Sequence, residues 1–169
     1  MNEPRMTPEQ DSVAAEVEIA APPERVFQAL TAQQQLFTWW GSEPSNDLTV
    51  FDMDPRPGNR YRYSCEPKPG IDHGAVVEQL HATGGQSFDC HGEILEMDHP
   101  PRLLVWSWLA NWHEHPNHPT SVRWELTPTK NGKHIRVTHS GLAQEPVCRK
   151  DYGSGWQGVL QLLNNYLRA

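Results

Sequence analysis

The side chains with the clearest capacity for chemistry lie in one short segment, Trp112-His113-Glu114-His115-Pro116-Asn117-His118-Pro119. Three imidazoles and one carboxylate within six positions are side chains that can bind zinc. Two prolines make the segment a loop, however, and the spacing HxHxxH lacks the fixed geometry that HExxH has on a helix. We therefore interpret residues 112–119 as a solvated loop at the rim of a cavity and predict no metal site.

A further histidine, His139, follows Ile135 and Val137 at two-residue spacing, so the three side chains share one face of a predicted strand. A histidine in such a position is usually a core residue whose ring bonds to a neighbour. The alternative is a polar anchor for a ligand, or a general base if a carboxylate orients the ring. Because the sequence identifies no such carboxylate, we assign no catalytic residue.

Aromatic residues form the second group of candidates. Trp106 and Trp108 alternate with smaller residues and face one side, and Trp124 on the next strand is expected to face the same way. Buried Trp and Tyr need hydrogen-bond partners, which a ligand or water in a cavity could supply; the alternative is a solid core. The predicted cavity-lining residues are Phe51, Tyr61, Tyr63, Phe88, Trp106, Trp108, Trp124, His139, Trp156 and Leu160.

The segment Gly153-Ser154-Gly155-Trp156-Gln157-Gly158 matches the letters GxGxxG. A dinucleotide fingerprint also requires a preceding strand, a βαβ unit and an acidic residue about 20 positions further on, and the sequence shows no such context. We therefore expect no nucleotide and no other cofactor. We interpret the glycines as residues that let a helix pack closely beneath a sheet.

Hydrophobic periodicity predicts the elements that must position these residues. A strand at residues 13–20 is followed by a helix that begins near Pro22-Pro23 and by a second short helix that ends at Gly41. Apolar residues at three- and four-residue steps after Gly141 predict one long C-terminal helix. Strand-like segments lie between the helices, at residues 48–53, 60–63, 87–97, 103–109, 122–129 and 134–140.

Two connections carry separate predictions. Asn131-Gly132 lies between two alternating runs, and this pair favours a two-residue type I′ hairpin because both residues tolerate positive φ. Residues 72–85 fit either a short helix or an irregular loop, and in either form they could act as a lid.

Alternation along the strands indicates an antiparallel sheet with one covered face, which only the long helix is large enough to cover. The fold class is therefore α+β.

Composition excludes several classes of partner. The chain of 169 residues carries a net charge of −7, so we expect neither nucleic acid nor an anionic membrane as partner. No segment approaches the ~18 consecutive apolar residues of a membrane helix, and the first residues contain no apolar run typical of a signal peptide. The three cysteines are widely spaced and form no CxxC, which fits a reducing compartment. We expect a cytoplasmic protein with a disordered tail at 1–12 and a single domain at 13–169.

A succession of motifs resembles the START-like, birch-pollen-allergen-like superfamily (SRPBCC). Within it, the sequence resembles the branch named after activators of the heat-shock-protein-ninety ATPase, over Val13 to Arg168. The resemblance implies a helix-grip fold, in which a curved antiparallel sheet of about six or seven strands wraps around the long helix and encloses a cavity. Residues 72–85 are longer than the family pattern. The motifs are IAAPPERVFQALT, Leu36…Trp39-Trp40, Arg56-Pro57-Gly58, Gly92-Glu93-Ile94-Leu95-Glu96…Pro101-Arg102-Leu103, His139-Ser140-Gly141-Leu142 and Gly155-Trp156.

Three functions are compatible with this resemblance. The first is binding of a small hydrophobic or aromatic molecule in the cavity. The second is an enzyme of the same fold, with cyclase- or hydrolase-like acid–base chemistry through His139 and Tyr61 or Tyr63. The third is a co-chaperone-type interaction with another protein. We expect binding rather than catalysis, and a homodimer stays an open alternative.

We predict that the fold does not require zinc. A loop at residues 112–119 provides no preorganised site, so metal binding should not be coupled to folding. Elemental analysis of protein purified without a histidine tag should find far less zinc than one ion per chain. Stoichiometric zinc would contradict this prediction.

Overall fold

Seven strands form one antiparallel sheet in the structure, a computed structural model that describes residues 11–71, 75–82, 87–98 and 102–168. The order across the sheet is β1-β7-β6-β5-β4-β3-β2, which confirms the predicted antiparallel sheet and its upper strand count. The strands are β1 (Val13–Ile19), β2 (Asn46–Met53), β3 (Arg60–Pro67), β4 (Phe88–Met97), β5 (Leu103–Ala110), β6 (Thr120–Pro128) and β7 (Lys133–Ser140).

In the described part of the chain, four helices accompany the sheet, and their order confirms the sequence prediction. Two short helices follow β1, one lies between β3 and β4, and a long one ends the described chain: α1 (Pro23–Thr31), α2 (Gln33–Trp40), α3 (Ala75–Ala82) and α4 (Pro146–Arg168). A proline begins α1, where its missing N–H is not needed. The helix α3 falls within the segment for which the sequence left helix and loop open; residues 72–74 and 83–86 lie outside the described part.

The concave face of the sheet is covered by α4, as the helix-grip prediction requires. Trp156, Leu160 and Leu163 of α4 are buried in the core, and the helix also contacts β1, α2 and α3. Register shifts in β2 and β4 mark bulges, which bend a strand locally and increase its twist. Among the described residues, no helix combines the length and the apolar character needed to cross a membrane.

The start of the described chain is attached to the residues that directly follow β7. The backbone N–H groups of Gly141 and Leu142 donate to Asp11, at 3.1 Å to its carboxylate and 2.8 Å to its carbonyl. Residues 1–10 of the predicted tail lie outside the described residues, so the tail and the single domain stay predictions.

The hairpin between β6 and β7 exists, but the predicted type I′ turn is wrong. Neither Asn131 nor Gly132 has positive φ, and the pairing of Pro128 with Lys133 leaves a four-residue loop closed by a 3.0 Å bond from Thr129 N–H to the Gly132 carbonyl. Glycine is required here for a different reason. A Cβ on Gly132 would collide with the carbonyl oxygen of Ile19, where β1 ends beside β7.

We predict that Gly132→Ala lowers the free energy of unfolding by about 1–3 kcal/mol, because the backbone of β1 must shift to admit the methyl group. Gly153→Ala in α4 is the matched control, since a Cβ there meets no atom within 4 Å. That control should raise stability by up to about 1 kcal/mol through helix propensity. Urea denaturation of the two variants measures both effects, and equal midpoints would contradict the prediction.

Candidate functional site

His139 lies on β7 beneath α4, and both of its ring nitrogens are bonded inside the core. Its Nδ1 lies 3.1 Å from Trp156 Nε1, and its Nε2 lies 2.7 Å from Thr120 Oγ1. Because an indole N–H can only donate, Nδ1 is the acceptor and the neutral ring carries its proton on Nε2. The Nε2–H group of His139 donates to the hydroxyl of Thr120, and that hydroxyl donates to the Trp108 carbonyl at 2.9 Å. The imidazole therefore has no free lone pair to offer a substrate.

A second polar cluster surrounds the hydroxyl of Tyr152, on the turn of α4 before Trp156. The indole N–H groups of Trp108 and Trp112 donate to it at 3.0 Å and 2.9 Å. With two donors already bound, the hydroxyl donates its proton to Nε2 of His113, at 2.6 Å. The proton of the neutral His113 ring is then on Nδ1, which is buried without a hydrogen-bond partner.

Burial keeps these groups uncharged near neutral pH. Desolvation lowers the pKa of His113 to about 4, with a smaller contribution from His118, and lowers the pKa of His139 well below its usual range. Desolvation also raises the pKa of Tyr152 and of Tyr61, so both remain protonated. The hydroxyl of Tyr61 donates to the Ser107 carbonyl on β5 at 2.6 Å, so its proton is already used in a bond within the sheet.

The histidine-rich loop divides into an inward and an outward part. His113 is buried against Tyr152, whereas residues 114–119 are exposed. The buried carboxylate of Glu145 holds the loop by accepting the backbone N–H groups of Glu114 and His115. Within the described ranges, no group of three His, Cys, Asp or Glu side chains is placed to hold a metal ion. That zinc is dispensable stays a prediction.

A cavity of about 660 Å³ opens between residues 148–162 of α4, the helix α3, the segment 43–48 and the adjoining parts of β3 and β4. Apolar and aromatic side chains make up most of its wall, namely Trp40, Leu48, Tyr63, Val76, Phe88, Trp112, Val159 and Leu162. Polar side chains complete it, namely Glu43, Ser45, Asn46, Asp151, Tyr152, Ser154 and Gln161. A volume of this size can hold a drug-sized molecule.

Two thiols, Cys65 and Cys148, also line the cavity. Burial raises the pKa of each thiol to about 12, with nearby carboxylates contributing. Cys148 donates to Gln79 Oε1 of α3 at 3.5 Å. Both cysteines are reduced and neutral, so they contribute soft apolar surface to the wall.

Of the residues predicted to line a cavity, Tyr63 and Phe88 lie in this wall. The others are buried behind it, where they pack on one another: Trp106 lies 5.9 Å from Trp124 between ring centroids, and Trp108 lies 5.3 Å from Trp156. Their part in ligand binding stays a prediction. The residues set into the core are Phe51, Tyr61, Trp106, Trp108, Trp124, His139, Trp156 and Leu160.

The glycines of α4 do not have the role assigned to them from the sequence. A Cβ added at Gly153, Gly155 or Gly158 would meet no atom within 4 Å, so close packing beneath the sheet is wrong. Gly155 and Gly158 instead lie in the cavity wall. They belong to a helical face at steps of three and four, together with Asp151 and Leu162, and this spacing was the overlooked signal in the sequence.

Comparisons with known proteins agree on the fold. The family model described as "Activator of Hsp90 ATPase homolog 1-like protein" matches residues 20–168. A comparison with curated proteins found no match. Solved structures of similar shape include protein CV1439 from Chromobacterium violaceum, at TM-score 0.71 and 19% identity over 94% of this chain and 98% of that chain.

Two further structures extend the likeness. Protein MLL2253 from Mesorhizobium loti has TM-score 0.66 and 24% identity over 93% of this chain and 96% of its own. The AHSA1-like protein from Aeromonas hydrophila has TM-score 0.66 and 17% identity over 93% of this chain and 92% of its own. At these identities, the likeness shows the fold alone.

We predict that acid destabilises this protein through its two buried histidines. Their folded-state pKa values lie below the unfolded value of 6.5, so the unfolded chain binds protons first as the pH falls. The contribution of the two neutral histidines to the free energy of unfolding is complete above pH 6.5. It is lost as the pH falls from 6.5 through the folded-state pKa, which is about 4 for His113. Between pH 7 and pH 5 the free energy of unfolding should fall by about 2 kcal/mol through His113, and it should fall further through His139.

Urea denaturation at the two pH values measures this loss. His113→Gln, which does not titrate, should reduce the pH dependence of the unfolding free energy more than the same change at His115 on the exposed loop does. An unchanged pH dependence in His113→Gln would show that the His113 ring is not held neutral by the fold.

Proposed function

Because the chain belongs to the family of Activator of Hsp90 ATPase homolog 1-like proteins, we propose that it binds a small, mainly apolar molecule in the cavity beside α4. The observation that carries the proposal is the cavity itself, about 660 Å³ with a mainly aromatic and aliphatic wall. Ligand pockets in proteins have volumes of about 300–1,000 Å³ and the same combination of apolar walls with a few polar groups.

The construction of α4 supports the same proposal. Glycine in a helix interior costs about 1 kcal/mol relative to alanine, and α4 contains glycine at positions 153, 155 and 158. For Gly155 and Gly158, the missing side chains leave space in the cavity wall. A protein that had no use for this space could fill it with alanine or a larger residue and gain stability.

The hydrogen bonds of the buried groups favour binding over acid–base catalysis. His139 uses both ring nitrogens within the core, and Tyr61 donates to a backbone carbonyl. A general base must reach the proton that it abstracts, and neither His139 nor Tyr61 lies in the cavity wall. Tyr63 does lie there, but burial raises its pKa, so its phenol stays protonated and is not a base. We also propose a cytoplasmic location, which the three free thiols support.

The most direct experiment is mass spectrometry of small molecules that co-purify with the native protein. A molecule present at near-stoichiometric amount and released only on unfolding would support the proposal. A neutral hydrophobic dye, N-phenyl-1-naphthylamine, then reports the same site, because Trp40 and Trp112 in the wall should be quenched when it binds.

We predict that Gly158→Leu weakens binding of this dye at least about tenfold, because the leucine side chain occupies cavity space. Stability should not fall, since leucine is a better helix former than glycine by up to about 1 kcal/mol. Gly153→Leu is the matched control: it makes the same change in the same helix, at a position outside the cavity wall. Fluorescence titration measures both affinities, and equal weakening in the two variants would place the dye elsewhere.

A further inference from the structure

The charged groups in the cavity wall all carry one sign. Among the described residues that line it, the acidic side chains are Glu43 and Asp151, and none is a lysine, arginine or histidine. A ligand carboxylate or phosphate would therefore meet like charge without a counter-ion. A ligand cation would meet opposite charge on two sides.

Glu43 is held in place by its own segment of chain. Its Oε2 accepts the backbone N–H and the hydroxyl of Ser45, at 2.9 Å and 2.6 Å, and the side-chain amide of Asn46 at 3.1 Å. All three bonds reach the same oxygen, so Oε1 keeps its capacity to accept. An acceptor fixed in this way needs little ordering when a ligand donor arrives.

Asn46 adds a second acceptor. Its amide nitrogen is committed to Glu43 and Ser45, so its oxygen is the other end of the amide group. That Oδ1 atom is buried and has no hydrogen-bond partner, in a residue that lines the cavity. Buried polar atoms are nearly always paired, so this acceptor is a hydrogen-bonding position that a ligand donor or a water molecule can fill.

Tyr63 supplies an independent observation. Its side chain lies in the cavity wall with a residue exposure of only 6%, yet its hydroxyl makes no hydrogen bond to any described residue. The hydroxyls of Tyr61 and Tyr152, by contrast, are both bonded to protein. Burial raises the pKa of Tyr63, so the group is a neutral phenol that has one polar atom left for a ligand.

The aromatic rings of the wall suit a cation as well as an apolar body. The ring of Tyr63 lies 5.4 Å from that of Trp40 and 6.5 Å from that of Trp112. Electron-rich faces of Trp and Tyr attract an ammonium group, and cages of such rings are used to recognise quaternary ammonium. Across this space, Asp151 on α4 is partly desolvated, and burial raises the pKa of its carboxyl.

We infer that the occupant of this cavity is an organic cation, a molecule with an aromatic or aliphatic body and a protonated or quaternary amine directed at Glu43, Asn46 and Asp151. The inference rests on the proposed binding function and adds the charge of the ligand to it. A protonated amine donates to the carboxylates and to the unpaired amide oxygen, whereas a quaternary amine is attracted to the carboxylates by its charge alone. In both cases the body contacts the rings.

Three probes of nearly equal size test the sign of the charge: 1-naphthylmethylamine, 1-naphthalenemethanol and 1-naphthoate. Isothermal titration calorimetry at pH 7 should show the amine binding at least about tenfold more tightly than the alcohol, and the carboxylate more weakly than the alcohol. Asp151→Asn should reduce the preference for the amine over the alcohol, measured as the ratio of their two dissociation constants, several-fold. Glu43→Gln should do the same if the segment 43–46 keeps its fold.

The control is Glu96→Gln, which removes one charge from an exposed position on β4 outside the cavity wall. If it lowers amine affinity as much as Asp151→Asn does, the attraction comes from the net charge of the protein and the inference is overturned. Equal affinity for amine and alcohol also overturns it, while the binding function stands. If no probe binds and Gly158→Leu leaves dye binding unchanged, the binding function itself fails.

Discussion

The first half of α4 depends on its attachment to the sheet by buried side-chain hydrogen bonds. Trp156 and Tyr152 of α4 make such bonds to His139 on β7, to Trp108 on β5 and to the loop after β5. Cys148 of α4 adds a weaker one, from its thiol to the Trp112 carbonyl at 3.7 Å. Each bond is worth about 1 kcal/mol when formed, and leaving one buried partner unpaired costs more than the bond contributes. Because glycine is frequent in this stretch of helix, these contacts rather than helix propensity hold it in place.

The attachment explains the position of the cavity. The bulky side chains of α4 point toward the sheet and use their polar atoms there, whereas the neighbouring face, with Asp151, Gly155 and Gly158, has little bulk. The sheet surface under Trp156 is consequently filled by tryptophan, and the unfilled space lies to the side, between α4 and α3. A ligand in this space would contact the small face of the helix and the rings of Tyr63 and Trp112 without breaking a core hydrogen bond.

Periodicity alone predicted the elements, because the alternation of β5 to β7 and the apolar stripe around Trp156 are imposed locally by which face is buried. The failures involve contacts between distant residues. The hairpin turn at Asn131-Gly132 depends on the nearness of Ile19, which lies more than one hundred positions earlier in the chain. The inward direction of Trp106 and Trp124 was readable, but whether their surroundings are open or filled depends on where α4 rests. Asp151 and Asn46 were not predicted as site residues, because each becomes a candidate only when the fold brings α4 and the segment 43–48 to the same cavity.

The two cysteines in the cavity wall determine which reactive groups this cavity could tolerate. With a pKa of about 12, Cys65 and Cys148 are thiolates in only about one molecule in 10⁵ at pH 7. The thiolate is the form that attacks electrophiles, so both sulfurs are nearly inert toward alkylating agents despite facing the enclosed space. A bound molecule that carries an enone, an epoxide or a quinone could therefore lie beside the two cysteines without forming a covalent bond to them. The low reactivity comes from desolvation of the thiols, not from the absence of cysteine in the wall.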